Sequence, residues 1–313
     1  MNINILQGNC IETLQKLDDK SINTCITSPP YWGLRNYNNE EKQLGMEDTP
    51  EEFVDNLVKV FREVKRVLRD DGTVWLNLGD SYSSGGRTTT TNQSLRGDKD
   101  YGVTRPKPSK GIKPKDLIGI PWRVALALQQ DGWYLRQDII WHKPNPMPES
   151  VKDRCTKAHE YIFLLSKNVK YYFDNEAIKE DSKYHGKDKR SDKGNIRYEG
   201  KRTSNKDTKA QQSFVTINPK KNKRSVWTIT TKPFKGAHFA TFPMDLIEPC
   251  VLAGCPEGGT VLDPFGGSGT TGIVAVNHNR HAVLCELNQE YIDLAKKRIG
   301  EQAGFLATIN IIT

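Results

Sequence analysis

The stretch VLDPFGGSGTT, residues 261–271, indicates the fold more clearly than any other part of the chain. An apolar run ends at Asp263, a glycine-rich turn follows, and a helical pattern begins at Thr270. Glycines in a strand-to-helix turn let backbone N–H groups approach a ligand closely. Glu286 ends the next predicted strand about 20 residues further on, where an acidic side chain can accept both hydroxyls of a ribose. We therefore expect a cofactor that carries adenosine.

The pattern around this turn excludes two common nucleotide sites. It is not GxxxxGK[ST], which disfavours a triphosphate-binding P-loop, and it is not GxGxxG, which weakens a dehydrogenase interpretation. Tight packing between a strand and a helix is the alternative use of such glycines.

Short apolar or β-branched runs alternate with helical patterns along most of the chain. This alternation is typical of an α/β fold with a mostly parallel sheet and helices on both faces. The predicted strands are 3–7, 23–27, 73–78, 135–141, 160–165, 260–263 and 282–286. The predicted helices are 10–17, 50–68, 121–130, 243–253, 270–276 and 289–299, with the second helix stopped by Asp71-Gly72. The strands at 135–141 and 160–165 are expected to form a hairpin at the sheet edge.

Length and composition set the class of the protein. The chain has 313 residues, of which 36% are hydrophobic, and this suffices for a large core. No apolar run approaches the roughly 20 residues of a membrane-spanning helix, and the N-terminus lacks the pattern of a signal peptide. Six cysteines without a CxxC pair predict reduced, mostly buried thiols and no metal site. We expect a soluble intracellular protein.

The net charge of +8 is concentrated in two segments. Residues 179–224 contain 15 Lys/Arg against 6 Asp/Glu, and residues 85–116 contain 8 against 3. Both segments are poor in aliphatic residues, so they cannot bury enough apolar surface to order themselves alone. They predict loops that neutralise phosphates of a nucleic acid, with Tyr101, Tyr184 and Tyr198 available for stacking. Two solvated loops of a basic protein are the alternative.

A second turn, Ser28-Pro29-Pro30-Tyr31, follows the predicted strand 23–27 at the edge where α/β sheets bind ligands. The prolines fix the backbone, so the Ser28 hydroxyl and the Pro29 carbonyl are presented as acceptors beside the Tyr31 ring. This arrangement suits a planar group with an exocyclic amine. Two acceptors on the amine hydrogens free its lone pair and stabilise charge as a methyl group arrives. A rigid turn with a capping serine is the alternative.

Taken together, TSPPYWGLRNY, WLNLGDSY, RSVWTI, GAHFATFPMDLI and VLDPFGGSGTTG resemble the amino-methyltransferases of DNA. These enzymes methylate the N4 of cytosine or the N6 of adenine with S-adenosyl-L-methionine. The resemblance covers nearly the whole chain. Its order, with the diproline turn before the cofactor turn and an insertion between them, resembles the β group. That group implies a circularly permuted class I methyltransferase fold, with a seven-stranded sheet that contains one antiparallel strand.

The resemblance also implies a division of the chain and roles for individual residues. Residues 1–143 form the catalytic part with the basic loop 85–116, residues 144–235 an edge strand and the target-recognition insertion, and residues 236–313 the cofactor-binding part. The catalytic residues are Ser28, Pro29, Pro30 and Tyr31, with Tyr31 stacking on the base. The cofactor-binding residues are Asn9, Phe239, Thr241, Phe242, Asp263, Phe265, Gly267, Gly269, Thr270 and Glu286. The DNA-binding residues are Arg35, Lys189, Arg190, Arg197, Arg202, Arg224 and Trp227.

Two positions depart from the family pattern. Asn9 stands where the group often has an aspartate, so the acidic contact to the cofactor adenine is missing or weakened. Ser28 stands where other members have aspartate, which in the family favours N4 of cytosine over N6 of adenine.

The expected activity is methylation of cytosine N4 in duplex DNA after base flipping, and N6-adenine methylation on the same scaffold is the alternative. The resemblance is compatible with a restriction endonuclease that acts separately and with a homodimer. It implies an enzyme of the bacterial cytoplasm, encoded by the cell or by a phage. An RNA methyltransferase, a protein-glutamine methyltransferase and an inactive DNA-binding homologue are further alternatives. A cytosine-C5 enzyme would need a cysteine nucleophile, and Cys250, in the one Pro-Cys pair, falls in a predicted helix rather than at a strand end.

Overall fold

A computed structural model describes residues 1–32, 44–83, 112–182, 219–231, 242–304 and 307–313. The helices in these ranges, α1 to α6 in chain order, are Cys10–Gln15, Pro50–Val67, Ile120–Gln130, Met244–Gly254, Thr270–Asn277 and Gln289–Ala303. The strands in the same ranges, β1 to β11, are Asn2–Gln7, Ile22–Thr27, Leu68–Leu78, Tyr134–His142, His159–Ser166, Glu180–Asp181, Lys220–Lys221, Val226–Thr228, Thr260–Asp263, His281–Glu286 and Thr308–Ile312.

Nine of these strands form one sheet in the order β11-β1-β10-β9-β2-β3-β5-β4-β8, and β6 pairs separately with β7. Within the nine-stranded sheet, neighbouring strands are parallel except that β5 runs antiparallel to both β3 and β4. The predicted class I fold, circularly permuted and with one antiparallel strand, is confirmed. The sheet has two strands more than the seven expected, because the short strands β8 and β11 extend its two edges.

Helices cover both faces of the sheet, as predicted. Successive side chains of a strand point to opposite faces. Val74 and Leu76 of β3 therefore join the core beneath α1, α2 and α3, while Trp75 between them joins the core beneath α4, α5 and α6. The carboxyl ends of the parallel strands remain free to carry the turns of the site.

The start of α2 follows from its sequence. Thr49 caps the helix, since its side-chain oxygen accepts a hydrogen bond from the Glu52 N–H at 3.2 Å, and Pro50 takes the first helical position. Apolar side chains then recur at helical spacing and are fully buried, at Phe53, Leu57, Val60, Phe61 and Val64. The predicted amphipathic helix is thus confirmed.

The end of α2 differs from the prediction. We expected the helix to include Leu68 and to stop at Asp71-Gly72 before a strand that begins at residue 73. Instead the helix ends at Val67, Leu68 takes an extended conformation, and β3 begins there because Leu68 pairs with Ile22 of β2. Pairing within the sheet therefore overrides the helical spacing of the sequence.

Strands β4 and β5 form the predicted hairpin, but β4 is not the outermost strand of the sheet. The three residues of β8 return from the insertion and pair in parallel with β4, which places Trp227 opposite Trp141. The sequence analysis did not predict β8.

The cysteines behave largely as expected. All six are unpaired, and all except Cys155 are buried. Within the described ranges, no helix is long and apolar enough to cross a lipid bilayer.

Candidate active site

The two turns identified in the sequence lie at the same edge of the sheet. Strands β2 and β9 are parallel neighbours, with Cys25 opposite Leu262, so their carboxyl ends meet. The Thr27 hydroxyl at the end of β2 donates a hydrogen bond to Asp263 Oδ1 at 2.6 Å. Ser28 follows Thr27 directly, and the glycine-rich turn follows Asp263. The structure thus brings together two motifs that lie more than two hundred residues apart in the chain.

Asp263 is the buried centre of this junction, with a relative exposure of 2%. Besides Thr27, it accepts hydrogen bonds from the Thr271 hydroxyl at 2.6 Å and from the Phe265 N–H at 3.1 Å. Burial raises the pKa of Asp263, and these three hydrogen bonds act in the opposite direction. Because three of its roughly four acceptor positions are used within the protein, Asp263 first of all shapes the two turns.

The glycine-rich turn needs its glycines for two different reasons. A Cβ atom at Gly266 would lie 2.9 Å from Leu284 Cβ, so this glycine permits close packing against β10. Gly267 has φ of +49° and Gly269 has φ of +78°, conformations that glycine adopts without strain. A Cβ atom at Gly267 would meet nothing closer than 3.8 Å, so this side of the turn is open to a ligand.

Glu286 faces the same turn from the end of β10. Its Oε2 accepts from the Gly267 N–H at 2.8 Å, and its Oε1 accepts from the Asn288 N–H at 2.9 Å. Burial raises the pKa of Glu286, while the backbone hydrogen bonds lower it. A carboxylate has about four acceptor positions, so acceptor capacity remains for a ribose hydroxyl.

Asn9 lies beside Glu286 but has an observed role of its own. The Gly8 N–H donates to the Glu286 carbonyl at 3.0 Å, and the Asn9 side chain caps α1 by accepting from the Ile11 N–H at 2.9 Å. Its contact to a cofactor adenine stays a prediction.

The remaining cofactor residues lie partly around the turn. Thr270 begins α5, Phe265 packs against the core beneath α1 to α3, and Phe242 lines a small cavity together with Thr27 and Asn77. Phe239 and Thr241 lie outside the described residues. The individual roles of these residues towards the cofactor stay predictions.

Arg298 of α6 contacts the glycine-rich turn, and the sequence analysis did not predict this contact. It reaches from α6 and donates from Nη1 to the Ser268 carbonyl at 2.5 Å and to the Thr270 hydroxyl at 3.2 Å. Burial lowers the pKa of its guanidinium. Arginine in an amphipathic helix is common, so its position carried no signal for this contact.

The diproline turn is fixed mainly through Tyr31. The Tyr31 hydroxyl donates to Glu160 Oε2 at 2.8 Å and lies 3.4 Å from Asn77 Oδ1. A Cβ atom at Gly79 would lie 2.5 Å from Tyr31 Cε2, so one side of the ring rests on a glycine that leaves space for it. Burial and the Glu160 carboxylate raise the pKa of Tyr31 well above its usual value. Ser28 and Pro30 are partly exposed and Pro29 is buried.

The support of Tyr31 was also missed. Asn77 and Gly79 belong to the quoted WLNLGDSY segment, but they received no role, and Glu160 was placed only in a predicted strand. Asp80 of the same segment serves the fold, since it accepts from the N–H groups of Gly119 and Ile120 at the start of α3.

Most residues assigned to DNA lie outside the described ranges, namely Arg35, Lys189, Arg190, Arg197 and Arg202, as do Tyr101, Tyr184 and Tyr198. Arg224 is exposed at the end of the insertion. The Trp227 side chain is only 5% exposed and packs near Trp75, with 6.5 Å between ring centres. This burial gives Trp227 a packing role, and its contact with DNA stays a prediction.

The cysteine considered as the nucleophile of a cytosine-C5 methyltransferase does not lie at the end of a strand. Cys250 is buried inside α4, as predicted, and burial raises the pKa of its thiol strongly. A buried neutral thiol within a helix cannot act as the nucleophile of such an enzyme.

A permuted class I sheet that carries a glycine-rich turn and a diproline turn at one edge defines an amino-methyltransferase. A sequence model described as DNA methylase, for N6 and N4 methyltransferases, matches residues 22–297. The chain belongs to this DNA methylase family. It is 50% identical over 298 residues to the type II methyltransferase M.SmaI of Serratia marcescens, covering 94% of this chain and 90% of that protein. It is 47% identical over 303 residues to M.Cfr9I of Citrobacter freundii, covering 96% and 89%.

Solved structures share the fold. A protein described as a putative DNA modification methylase from Thermus thermophilus, in complex with S-adenosyl-L-methionine, superposes with a TM-score of 0.59 at 23% identity over 99% of both chains. The cytosine-N4-specific PvuII DNA methyltransferase superposes with a TM-score of 0.62 at 19% identity, over 99% of this chain and 95% of that one. The family is dependent on S-adenosyl-L-methionine, which is therefore the cofactor of this DNA methyltransferase.

Proposed function

We propose that this protein transfers a methyl group from S-adenosyl-L-methionine to the N4 of a cytosine in duplex DNA. The observation that carries the proposal is the hydrogen bond between Thr27 and Asp263, because it holds the turn for the amine beside the turn for the cofactor. Ser28 at the start of the diproline turn, where other members have aspartate, supports cytosine as the target. The PvuII enzyme, which shares the fold, is described as cytosine-N4-specific.

The diproline turn would act on the amine. The Ser28 hydroxyl and the Pro29 carbonyl would accept hydrogen bonds from its two N–H groups, which frees the nitrogen lone pair for attack on the methyl carbon. As the N–C bond forms, the C–S bond of the cofactor would break and leave its electron pair on sulfur. The amine would then lose one proton to solvent or to another group. One side of the Tyr31 ring rests on Gly79, so a flipped base would stack on the opposite side. These contacts strengthen as positive charge develops on the nitrogen, and they therefore favour the transition state over the bound substrate.

The glycine-rich turn would hold the cofactor, which supplies an electrophilic methyl group when bound. The open side of Gly267 and the remaining acceptor capacity of Glu286 fit an adenosine ribose. The other residues of the turn, with Phe239, Thr241 and Phe242, would surround the methionine part.

The basic segments 85–116 and 179–224 would bind the phosphates of the duplex, and the insertion within residues 144–235 would select the target sequence. We include in the proposal a restriction endonuclease that acts separately on the same sequence.

The test is direct identification of the methylated base. The purified protein is incubated with labelled S-adenosyl-L-methionine and genomic DNA from a methylation-free strain, and the DNA is hydrolysed to nucleosides. Labelled N4-methylcytosine is expected. Labelled N6-methyladenine would refute the base assignment, and the absence of transfer would refute the activity. Ser28→Ala should abolish most of the transfer, whereas Ser21→Ala, a loop serine whose hydroxyl bonds the Asp18 carbonyl, should not.

A further inference from the structure

Helix α6 packs directly against the glycine-rich turn. A Cβ atom at Gly269 would lie 3.0 Å from Ala295 Cβ and 3.1 Å from Ile299 Cδ1, so the backbone of the turn touches the apolar side of α6. Arg298 precedes Ile299 on the same helix. Helix α6 therefore brings both an apolar contact and a cation to the turn.

Arg298 contacts the turn on both sides of Gly269. Its Nη1 donates to the Ser268 carbonyl at 2.5 Å and also faces the hydroxyl oxygens of Ser268 and Thr270, the latter at 3.2 Å. A guanidinium has no acceptor, so these three oxygens share the two hydrogens of Nη1. Ser268 and Thr270 are only 5% and 4% exposed, and water has little access to compete for these contacts.

The start of α5 depends on such contacts. Among the described residues no side chain caps this helix, because Gly269 occupies its N-cap position. On one side the Thr271 hydroxyl donates to Asp263 Oδ2 at 2.6 Å. On the other side Arg298 holds Thr270. The turn is thus held between a carboxylate at the end of β9 and a guanidinium on α6.

The position of Arg298 is electrostatically unfavourable for a cation. It lies at the N-terminal end of α5, where the helix dipole carries partial positive charge, and the first turn of α5 contains no acidic residue. Burial also lowers the pKa of the guanidinium. An apolar side chain would fill this place at a lower cost of desolvation. A residue that is costly to the fold and contacts a ligand-binding turn is typical of a functional role.

We propose that Arg298 is a positioning residue for cofactor binding, which holds Ser268 to Thr270 in the conformation that keeps the open side of Gly267 towards S-adenosyl-L-methionine. The inference goes beyond the proposed function, because the base that receives the methyl group plays no part in it. It predicts that loss of Arg298 weakens cofactor binding and leaves the methyl-transfer step of the loaded enzyme unchanged.

The main test is Arg298→Met in the full chain, with binding of S-adenosyl-L-methionine measured by isothermal titration calorimetry without DNA. The dissociation constant should rise roughly 10- to 100-fold, the usual effect of losing hydrogen bonds from a charged group. The kcat at saturating cofactor should stay within about twofold of the wild-type value. A lowered kcat with an unchanged dissociation constant would overturn the proposal.

Arg280→Met is the matched control. Arg280 is 5% exposed and also donates to backbone carbonyls, those of Cys255 and His278, but it precedes β10 at the opposite edge of the sheet. Its loss should destabilise the fold and leave the dissociation constant of the cofactor within about twofold of the wild-type value. Equal weakening of binding in both variants would show that Arg298 acts only through stability. If Arg298→Met does not fold, Arg298→Lys and Arg280→Lys give the same comparison.

Two further variants test the contacts themselves. Arg298→Lys keeps the charge and offers three hydrogens on one nitrogen, so its dissociation constant should lie between those of the wild type and Arg298→Met. Ser268→Ala removes one of the acceptors. Added to Arg298→Met, it should raise the dissociation constant by less than about twofold more, because the contact is already lost. A lysine variant that binds no better than Arg298→Met, or multiplicative losses in the double variant, would overturn the proposal.

Hydrogen–deuterium exchange of the cofactor-free protein reads the turn without any ligand. The Gly269 N–H donates to the Gly266 carbonyl at 2.9 Å, and the Ile273 N–H donates to the Gly269 carbonyl at 3.1 Å. Peptides that cover residues 266–273 should exchange faster in Arg298→Met, relative to the rest of the chain, and not in Arg280→Met. Unchanged exchange would refute the inference. If the wild-type protein bound the cofactor but transferred no methyl group to DNA, the proposed function would fail and the role of Arg298 would stand.

Discussion

The glycine-rich turn and the diproline turn, which are the proposed cofactor turn and catalytic turn, lie side by side but are held by different kinds of partners. Two carboxylates flank the cofactor turn, Asp263 and Glu286, and both accept hydrogen bonds from hydroxyl and backbone N–H groups. Most of these donors lie within 19 residues of their acceptor in the chain. Tyr31 of the catalytic turn is held by side chains 46 and 129 residues away, and the second of these, Glu160, is paired with the ammonium group of Lys143. One turn is thus a local backbone structure, and the other depends on the assembled sheet.

Because of this difference, substitutions at the two turns should affect different properties of the protein. Neutral donors around a buried carboxylate shape the backbone, so changes in the cofactor turn should act first on stability and cofactor binding. A side chain positioned by distant partners can shift while the fold remains intact, so changes behind the catalytic turn should act first on turnover. The predictions below test this separation, starting with the change of largest expected effect.

Asp263→Ala should be the most damaging of these substitutions. It removes the acceptor of three buried donors at once, from Thr27, Phe265 and Thr271. The free energy of unfolding should fall by roughly 3 kcal/mol, because buried donors without partners are costly. Denaturant unfolding followed by circular dichroism measures the loss. Asp293→Ala, at an exposed position of α6, is the control and should change the unfolding free energy by less than about 0.5 kcal/mol. A loss below about 1 kcal/mol for Asp263→Ala would contradict the central role of this residue.

Gly79→Ala should spare the fold and lower turnover. The new methyl group would lie 2.5 Å from the Tyr31 ring, and the ring must shift because the backbone just before Gly79 is fixed by the pairing of Leu78 with Tyr161. We expect kcat to fall on the order of 10- to 100-fold, as is typical when a group of the active site is displaced by about 1 Å. Cofactor affinity, measured by isothermal titration calorimetry, should remain at the wild-type value.

Gly300→Ala provides the matched control for that substitution. Gly300 lies in α6, and an added Cβ atom there would meet nothing within 4 Å. Turnover should be unchanged and the helix slightly more stable. Equal losses of turnover in both variants would show that the close approach of Gly79 to Tyr31 has no catalytic importance.

The contrast between local and long-range partners also explains which residues of the site could be predicted from the sequence. Glu286 could be assigned beside the glycine-rich turn because the strand and turn that position it are adjacent in the chain. Glu160 could not, because its neighbour Tyr31 becomes adjacent only when β5 packs beside β3. Arg298 and Lys143 were missed for the same reason. A long-range pair of side chains leaves no periodic pattern in a single sequence.

Elements of the fold could likewise be predicted where local features determine them. Helices such as α2 were predicted well because their apolar spacing and caps are local features. The three residues of β8 were not predicted, since Val226–Thr228 is extended only because β4 offers its edge. Leu68 was assigned to the wrong element because its helical spacing competes with its pairing to Ile22. The burial of Trp227 follows from its place in β8, so the sequence analysis did not predict this packing role.

Thr27→Val makes the smallest change and tests the junction between the two turns. The substitution keeps the shape of the side chain and removes the hydroxyl that donates to Asp263 at 2.6 Å. Thr24→Val, in the same strand, removes an equally buried hydroxyl that bonds Thr73, away from the site. Each variant should lose about 1 kcal/mol of unfolding free energy, the usual net value of one hydrogen bond.

Their turnover should nevertheless differ. Thr27 is followed directly by Ser28, so loss of its hydrogen bond loosens the position of the amine relative to the cofactor turn. The kcat/KM for DNA should fall by about fivefold in Thr27→Val, which corresponds to a loss of roughly 1 kcal/mol of transition-state stabilisation. In Thr24→Val it should fall by less than about twofold. Similar kcat/KM values in the two variants, at equal stability, would mean that the turns are aligned by the sheet alone and that the Thr27–Asp263 bond serves only the fold.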